Sequence, residues 1–128
     1  MSKTTKRLKA AKLKIVDKKN WVKDTFAKNA DGLVVPSTDK NACKFCVIGS
    51  LNNVVGNTDS NTLAHTLLHD AAKRQGYGGA MQLNDHEKTS HSMVMDVYDR
   101  AIRASQRLDQ KRAEEEKKPK KSKKSKKK

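Results

Sequence analysis

The chain has 128 residues, about the size of one small domain. Hydrophobic residues make up 34% of it and charged residues 34%, so part of the chain lacks the apolar content for a packed core. No apolar run approaches the ~18 residues of a membrane span, and no apolar segment follows the basic start, so we expect neither a membrane protein nor a secreted one. Two cysteines in such a chain argue against a disulfide framework.

The formal net charge of +15 is concentrated at the two ends of the chain. Residues 1–28 contain ten basic and two acidic residues, and residues 117–128 contain nine lysines and no acid. The segment between them is close to neutral, with ten basic and twelve acidic residues. We therefore predict a small helical domain over residues 1–112 with a basic first helix, followed by a disordered lysine-rich tail over residues 113–128, which offers little apolar surface to offset the entropy of ordering.

Hydrophobic periodicity predicts a mainly α fold with four helices. Apolar residues at helical spacing predict a first helix from about residue 4 to residue 19, and lysines cover its other faces. The turn-forming pair Asp31-Gly32 and the β-branched Val34 and Val35 indicate at most a short strand or hairpin near residues 25–36.

Three more helices are predicted in the rest of the chain. The second covers about residues 39–56 and ends at Gly56, the third ends near Gln75, and the last begins near residue 90 and continues past residue 110 as an exposed rod. The residues expected to lie together in the core are Trp21, Phe26, Phe45, Cys46, Ile48, Leu51, Leu67, Val94, Tyr98 and Ile102.

Two cysteines and two histidines have spacings that resemble a Cys2His2 zinc site. Cys43 and Cys46 form a Cys-x2-Cys pair, and His65 and His69 follow at i, i+4 on one face of the third helix. Eighteen residues separate the pairs, more than the usual ~12–15, and both cysteines fall within a predicted helix rather than on a turn. We therefore keep zinc as a minor alternative, expect Cys46 to be buried, and expect no cofactor.

A second polar group contains residue types that occur in hydrolytic and metal sites. Its members are Asp85, His86, Glu87 and His91. The simpler interpretation is a polar loop that caps the last helix. The sequence contains neither Gly-x-Ser-x-Gly nor His-Glu-x-x-His, and its glycine-rich stretch lacks the residues of a phosphate-binding loop. We therefore predict no catalytic residues and a protein that is not an enzyme.

Several short motifs occur in a familiar order. They are Asn20-Trp21, Asp31-Gly32, Ala42-x-x-Phe45-Cys46-x-x-Gly49, Leu83-Asn84-Asp85 and Arg100-Ala101. This order resembles a family of small bacterial and phage proteins of unknown function, whose pattern is Gly-Trp, a short Asp-x-x-Gly loop, Ala-x-x-Trp-Cys-x-x-Gly-Ala, Trp-Asn-Asp and a last helix with Arg-Ala. Trp21, Cys46, Gly49, Asn84 and Asp85 match that pattern, whereas Asn20, Phe45 and Leu83 depart from it. The resemblance covers about residues 5–105 and implies a small helical domain with no established activity.

The charge distribution favours a non-enzymatic, sequence-independent nucleic-acid-associated protein, located in the cytoplasm, on the nucleoid or in a virion. Its predicted phosphate contacts are Lys6, Arg7, Lys9, Lys12, Lys117, Lys118, Lys120, Lys121, Lys123, Lys124, Lys126, Lys127 and Lys128. Lysine suits phosphates but reads bases poorly, and Arg100, Arg103 and Arg107 alternate with aspartates along the last helix. One alternative is a phage virion structural or protein-interaction module with a protein partner. A second is a small zinc-binding Cys2His2 protein.

Overall fold

A computed structural model describes residues 1–59 and 61–117 of the protein. Over these residues it contains five α-helices, one short 3-10 helix and one two-stranded antiparallel sheet. The helices are α1 Lys3–Lys14, α2 Val47–Val55, α3 Leu63–Arg74, α4 Ala80–Asp85 and α5 His91–Lys117, and the strands are β1 Ala27–Asn29 and β2 Ala42–Phe45. The mainly α fold with a short hairpin is confirmed, with one helix more than the four predicted.

The first helix ends earlier than the sequence predicted. Helix α1 stops at Lys14, and a 3-10 turn over Lys18–Asn20 follows instead of more α-helix. The side chain of Asp17 accepts a 3.1 Å hydrogen bond from the backbone nitrogen of Lys19. Short acidic side chains compete in this way for backbone donors, which favours a new cap over a continued helix.

The single helix predicted over residues 39–56 is wrong in its first part. Residues Ala42–Phe45 form β2, in which Phe45 lies opposite Ala27 of β1. Helix α2 begins only at Val47, after Cys46, and Gly56 ends it in the left-handed conformation with φ 91°. Four residues are too few to distinguish the helical spacing of apolar residues from the alternation of a strand. The segment forms a strand because it pairs with β1, which lies earlier in the chain.

Helix α4 was not predicted: residues 80–83 were assigned to no element, and the residues from Asn84 onward were interpreted as a polar loop. Six residues are too few to establish a helical period in the sequence. Its N-cap Gly79 has no side chain to accept a hydrogen bond, and the ring nitrogen Nδ1 of His69 on α3 accepts one from the backbone nitrogen of Ala80 at 3.1 Å. A side chain from a neighbouring helix therefore caps α4.

The core lies among α1, α2, α3 and α5, in which α5 packs on α1 and α3, and α2 packs chiefly on α1. Most of the predicted core is buried, namely Phe45, Cys46, Ile48, Leu51, Val94, Tyr98 and Ile102. Trp21 and Leu67 are only partly buried, and the prediction for Phe26 is wrong, since 46% of it is exposed. Ala27, the next residue, is completely buried, and successive residues of an extended chain point to opposite sides.

Helix α5 continues to Lys117, past the predicted domain boundary at residue 112. Residues 113–117 are helical and exposed, so they lengthen the rod without adding to the core. The remainder of the predicted tail lies outside the described residues, and the division of the chain stays a prediction. Within the described part of the chain, no helix is both long and apolar enough to cross a membrane.

Candidate nucleic-acid interface

Helix α1 presents its basic side chains on the faces that do not pack on the core. Its buried residues, three or four positions apart, are Thr5, Leu8 and Ala11. Of the predicted phosphate contacts on this helix, Lys6 is exposed and Arg7 and Lys9 are half-buried. No acidic residue occurs between Lys3 and Lys14, so every charged side chain of α1 is basic.

The start of α1 lies against the C-terminal half of α5. The backbone nitrogen of Ser2 and the hydroxyl of Thr5 donate hydrogen bonds of 3.2 and 2.7 Å to Asp109. Hydrogen bonds from Ser2 and Thr5 lower the pKa of Asp109 to about 2. At the other end, Nε2 of His91 donates a 2.7 Å bond to the carbonyl oxygen of Ile15. The two helices are therefore antiparallel.

One predicted phosphate contact on α1 already has a partner. The ammonium group of Lys12 lies 2.6 Å from a carboxylate oxygen of Asp99 on α5, in a partly exposed salt bridge. A charge that is paired inside the protein attracts a phosphate less strongly than a free one. Lys12 therefore fits a role in holding α1 on α5 better than the predicted phosphate contact, whereas Lys6 forms no salt bridge to any described residue.

The lysine-rich tail begins at the end of α5. Lys117 is the last residue of that helix and is exposed. The other tail lysines predicted to contact phosphate lie outside the described residues, namely Lys118, Lys120, Lys121, Lys123, Lys124, Lys126, Lys127 and Lys128.

The two cysteines occupy different environments at the junction of β2 and α2. Cys43 is exposed on the strand, whereas Cys46 is buried and caps the helix, with Sγ accepting a 3.2 Å hydrogen bond from the backbone nitrogen of Gly49. The argument that a helix holds both cysteines was wrong. Burial raises the pKa of the Cys46 thiol to about 11, so it is protonated near neutral pH and is a weak nucleophile and metal ligand.

Both histidines of the zinc pattern have partners within the protein. The ring of buried His65 forms hydrogen bonds of 2.6 Å with the hydroxyl of Thr62 and 2.8 Å with Oδ1 of Asn52. His69 caps α4 through Nδ1. In the described residues, no three His, Cys, Asp or Glu side chains are arranged to hold a metal ion. The spacing of Cys43, Cys46, His65 and His69 therefore does not produce a four-ligand cluster.

The acidic and histidine residues around α4 also serve local contacts. A carboxylate oxygen of Asp85 accepts a 2.9 Å hydrogen bond from the backbone nitrogen of Asp24. The ring of His86 contacts that of Tyr77 edge to face, with centroids 5.5 Å apart, and Glu87 is exposed. His91 donates to α1. These contacts join the helix ends and the connecting segments.

A comparison of the whole chain with protein families gives one match. The model of a family of unknown function, DUF6197, matches residues 1–104. The chain belongs to this family. No curated protein and no solved structure matches it. Membership of a family of unknown function, predicted from the short motifs, is confirmed, whereas the bacterial or phage source stays a prediction.

The residues that carried the motif resemblance lie close together within the DUF6197 region. Trp21 and Asp85 both form hydrogen bonds to Asn84. Cys46 caps the helix that contains Gly49, and a Cβ atom at Gly49 would collide with the backbone carbonyl of Phe26. The Trp21–Asn84 hydrogen bond and the approach of Gly49 to Phe26 each join two segments of the fold, so these motif residues have structural roles.

One basic site was missed by sequence reasoning. A groove of about 210 Å³ between α3 and α5 is lined by Leu67, Asp70, Ala71, Arg74, Arg100, Arg103, Ala104 and Arg107. All but Arg107 lie in the region matched by the DUF6197 model. Each helix contributes residues at positions i, i+3, i+4 and i+7, the spacing of one helix face. That spacing was the available signal, but it required knowledge that α3 and α5 are neighbours.

Proposed function

We propose that this protein is a non-enzymatic nucleic-acid-associated protein that contacts phosphates through its two basic terminal segments and does not read base sequence. The observation that supports this is the antiparallel contact of α1 with α5, in which Ser2 and Thr5 meet Asp109. It brings the basic helix α1 beside the helix from which the lysine-rich tail continues. The basic helix α1 and Lys117, the first lysine of the tail, therefore lie on neighbouring elements of the fold.

Helix α5 continues beyond its contact with the start of α1. From Asp109 to Lys117 it runs for eight residues, about 12 Å at 1.5 Å per residue. Residues 111–117 contain three basic and three acidic residues, so this extension is close to neutral. A basic helix and a lysine-rich segment that follows a near-neutral extension in the sequence suit contacts with successive phosphates along a polyanion.

Lysine predominates in both segments, which supports binding without sequence preference. An ammonium group is a compact charge that attracts phosphates but does not form the paired hydrogen bonds by which arginine recognises guanine. Phosphate contacts position a protein on nucleic acid without reading its sequence. We therefore expect similar affinities for unrelated duplexes of equal length.

The test measures duplex DNA binding as a function of salt for the full chain and for a variant lacking residues 118–128. If about half of the eight deleted lysines contact phosphates, the slope of log K against log salt becomes about 4 units shallower. The variant Lys6→Gln with Lys9→Gln also weakens binding. Lys40→Gln with Lys88→Gln is the control, because it removes two exposed charges outside α1 and α5. An unchanged slope after deletion contradicts the proposed role of the tail.

The virion structural or protein-interaction alternative remains a prediction, as does the zinc alternative. A virion component would copurify with particles and stay protected from nuclease together with packaged genome. A zinc protein would contain stoichiometric metal in elemental analysis and would lose structure on chelation.

A further inference from the structure

The arginines between α3 and α5 carry more positive charge than nearby carboxylates can neutralise. Arg100 forms a 2.7 Å salt bridge with Asp96. Arg74, Arg103 and Arg107 form no salt bridge with any described residue. Asp70 is the one carboxylate in the lining of the groove.

Two of the three aspartates that alternate with these arginines in the sequence are engaged on the other side of α5. Asp99 binds Lys12 of α1, and Asp109 accepts hydrogen bonds from Ser2 and Thr5. The third, Asp96, stays on the flank toward α3, where it pairs with Arg100 and accepts a hydrogen bond from Gln75. Asp99 and Asp109 are therefore separated from the groove, because residues on opposite flanks of a helix face different neighbours.

Small side chains provide the space between the two helices. Ala71 of α3 and Ala104 of α5 line the groove together with Leu67 and leave a volume of about 210 Å³. The volume is below the roughly 300–1,000 Å³ of pockets that hold whole small molecules. The groove is thus sized for a compact anionic group, with apolar surface on which arginine stems can lie.

We propose that the groove between α3 and α5 is a phosphate-binding site formed by Arg74, Arg103 and Arg107, with Arg100 at its edge. Planar guanidinium groups donate paired hydrogen bonds to phosphate oxygens, and several of them around one small space favour a doubly charged anion over chloride. The phosphate belongs either to a nucleic-acid backbone or to a free phosphate-bearing molecule. The site is independent of the proposed function, since neither α1 nor the tail contributes to it.

The experiment uses the full chain, with inorganic phosphate and a short oligothymidylate as separate probes at low salt. Binding is followed by the NMR shifts of the backbone amides of Ala71 and Ala104, which line the groove. The variant Arg103→Gln with Arg107→Gln removes two exposed charges. Lys40→Gln with Lys88→Gln removes the same charge from exposed positions outside α1, α3 and α5 and serves as its control. Melting curves establish that all variants fold.

We expect both probes to shift the groove amides and the arginine-to-glutamine variant to bind about tenfold more weakly or worse, whereas the Lys40 and Lys88 control keeps its affinity for inorganic phosphate. Shifts with oligothymidylate alone identify the nucleic-acid backbone as the source, and equal shifts with inorganic phosphate identify a free phosphate group. Arg103→Lys with Arg107→Lys keeps the charge but loses the paired geometry, so it binds several-fold more weakly.

Three results overturn the proposal: no shift of the groove amides with either probe, equal losses in the groove variant and the Lys40 and Lys88 control, or full affinity in the lysine variant. The last two results would show that the arginines attract anions by charge alone and do not form a specific phosphate-binding site. Deleting residues 118–128 separates this proposal from the proposed function. If the tail is dispensable for nucleic-acid binding, its deletion leaves the phosphate-induced shifts of the groove amides unchanged.

Discussion

The indole Nε1 of Trp21 donates a 2.7 Å hydrogen bond to Oδ1 of Asn84, which lies 63 residues later in the chain. The same oxygen accepts a 3.0 Å bond from the backbone nitrogen of Val47. The amide nitrogen of Asn84 donates to the carbonyl of Val22 and to Asp85. Asn84 is completely buried, and its two donors and two acceptor positions are all used. Asn84, at the end of α4, therefore connects the segment after α1 with the start of α2.

Asn84→Asp is expected to destabilise the fold although it preserves shape. The new carboxylate oxygen replaces a donor and faces the carbonyl of Val22 and the carboxylate of Asp85. A buried group left without its partner costs about 1–3 kcal/mol, and a buried charge costs more. We expect a loss of at least about 2 kcal/mol in urea unfolding. Asn57→Asp, at an exposed position, is the control and stays within about 0.5 kcal/mol.

Gly49→Ala tests the close approach of α2 to the segment before β1. A Cβ atom there would collide with the carbonyl oxygen of Phe26, which accepts a 3.1 Å hydrogen bond from the backbone nitrogen of Cys46. Overpacking of this kind costs about 1–3 kcal/mol. Gly78→Ala is the matched control, because its nearest neighbour is the side chain of Gln82 at 3.5 Å. Equal melting temperatures for the two variants would contradict the packing described.

The sequence predicted those helices that are long enough for the helical spacing of apolar residues to repeat several times. Helices α3 and α5 have 12 and 27 residues, enough for apolar positions to repeat several times. The strand Ala42–Phe45 was not predictable in this way, because its formation depends on β1, about fifteen residues earlier. Where two periodicities fit a short segment, tertiary pairing decides.

The residues of the candidate sites were likewise only partly predictable from the sequence. Composition alone located the basic residues of α1 and the tail, whose function stays a proposal. Composition did not indicate that Asp99 and Asp109 bind side chains of α1. It also did not indicate that Arg74 lines the same groove as Arg103 and Arg107. These relations depend on which flank of α5 faces which neighbour, and that follows only from the packing.

Leu68→Ala is expected to destabilise the domain more than Leu67→Ala. Leu68 is completely buried, whereas Leu67, which the sequence placed in the core, lies at the edge of the groove. Truncating a buried leucine costs about 2–5 kcal/mol, because transfer energy is lost and a cavity remains. Thermal melting of both variants checks the register of α3. A larger loss for Leu67→Ala would mean that α3 is rotated from the orientation described.

Two histidines make the stability of the fold dependent on pH. Burial is the main cause that lowers the pKa values of His65 and His69 from 6.5, so the folded protein favours their neutral forms. The unfolded chain then binds more protons, and stability is complete above pH 6.5 and declines as the pH falls through the lowered values.

Urea unfolding at about pH 8 and about pH 5 measures this decline. His69→Asn keeps an acceptor for the backbone nitrogen of Ala80 but does not titrate in this range, so we expect a smaller difference between the two conditions. The lowered pKa of Asp109 acts only far below this window, since it lies near 2. Equal stability at both pH values would show that the two rings accept protons freely in the folded state.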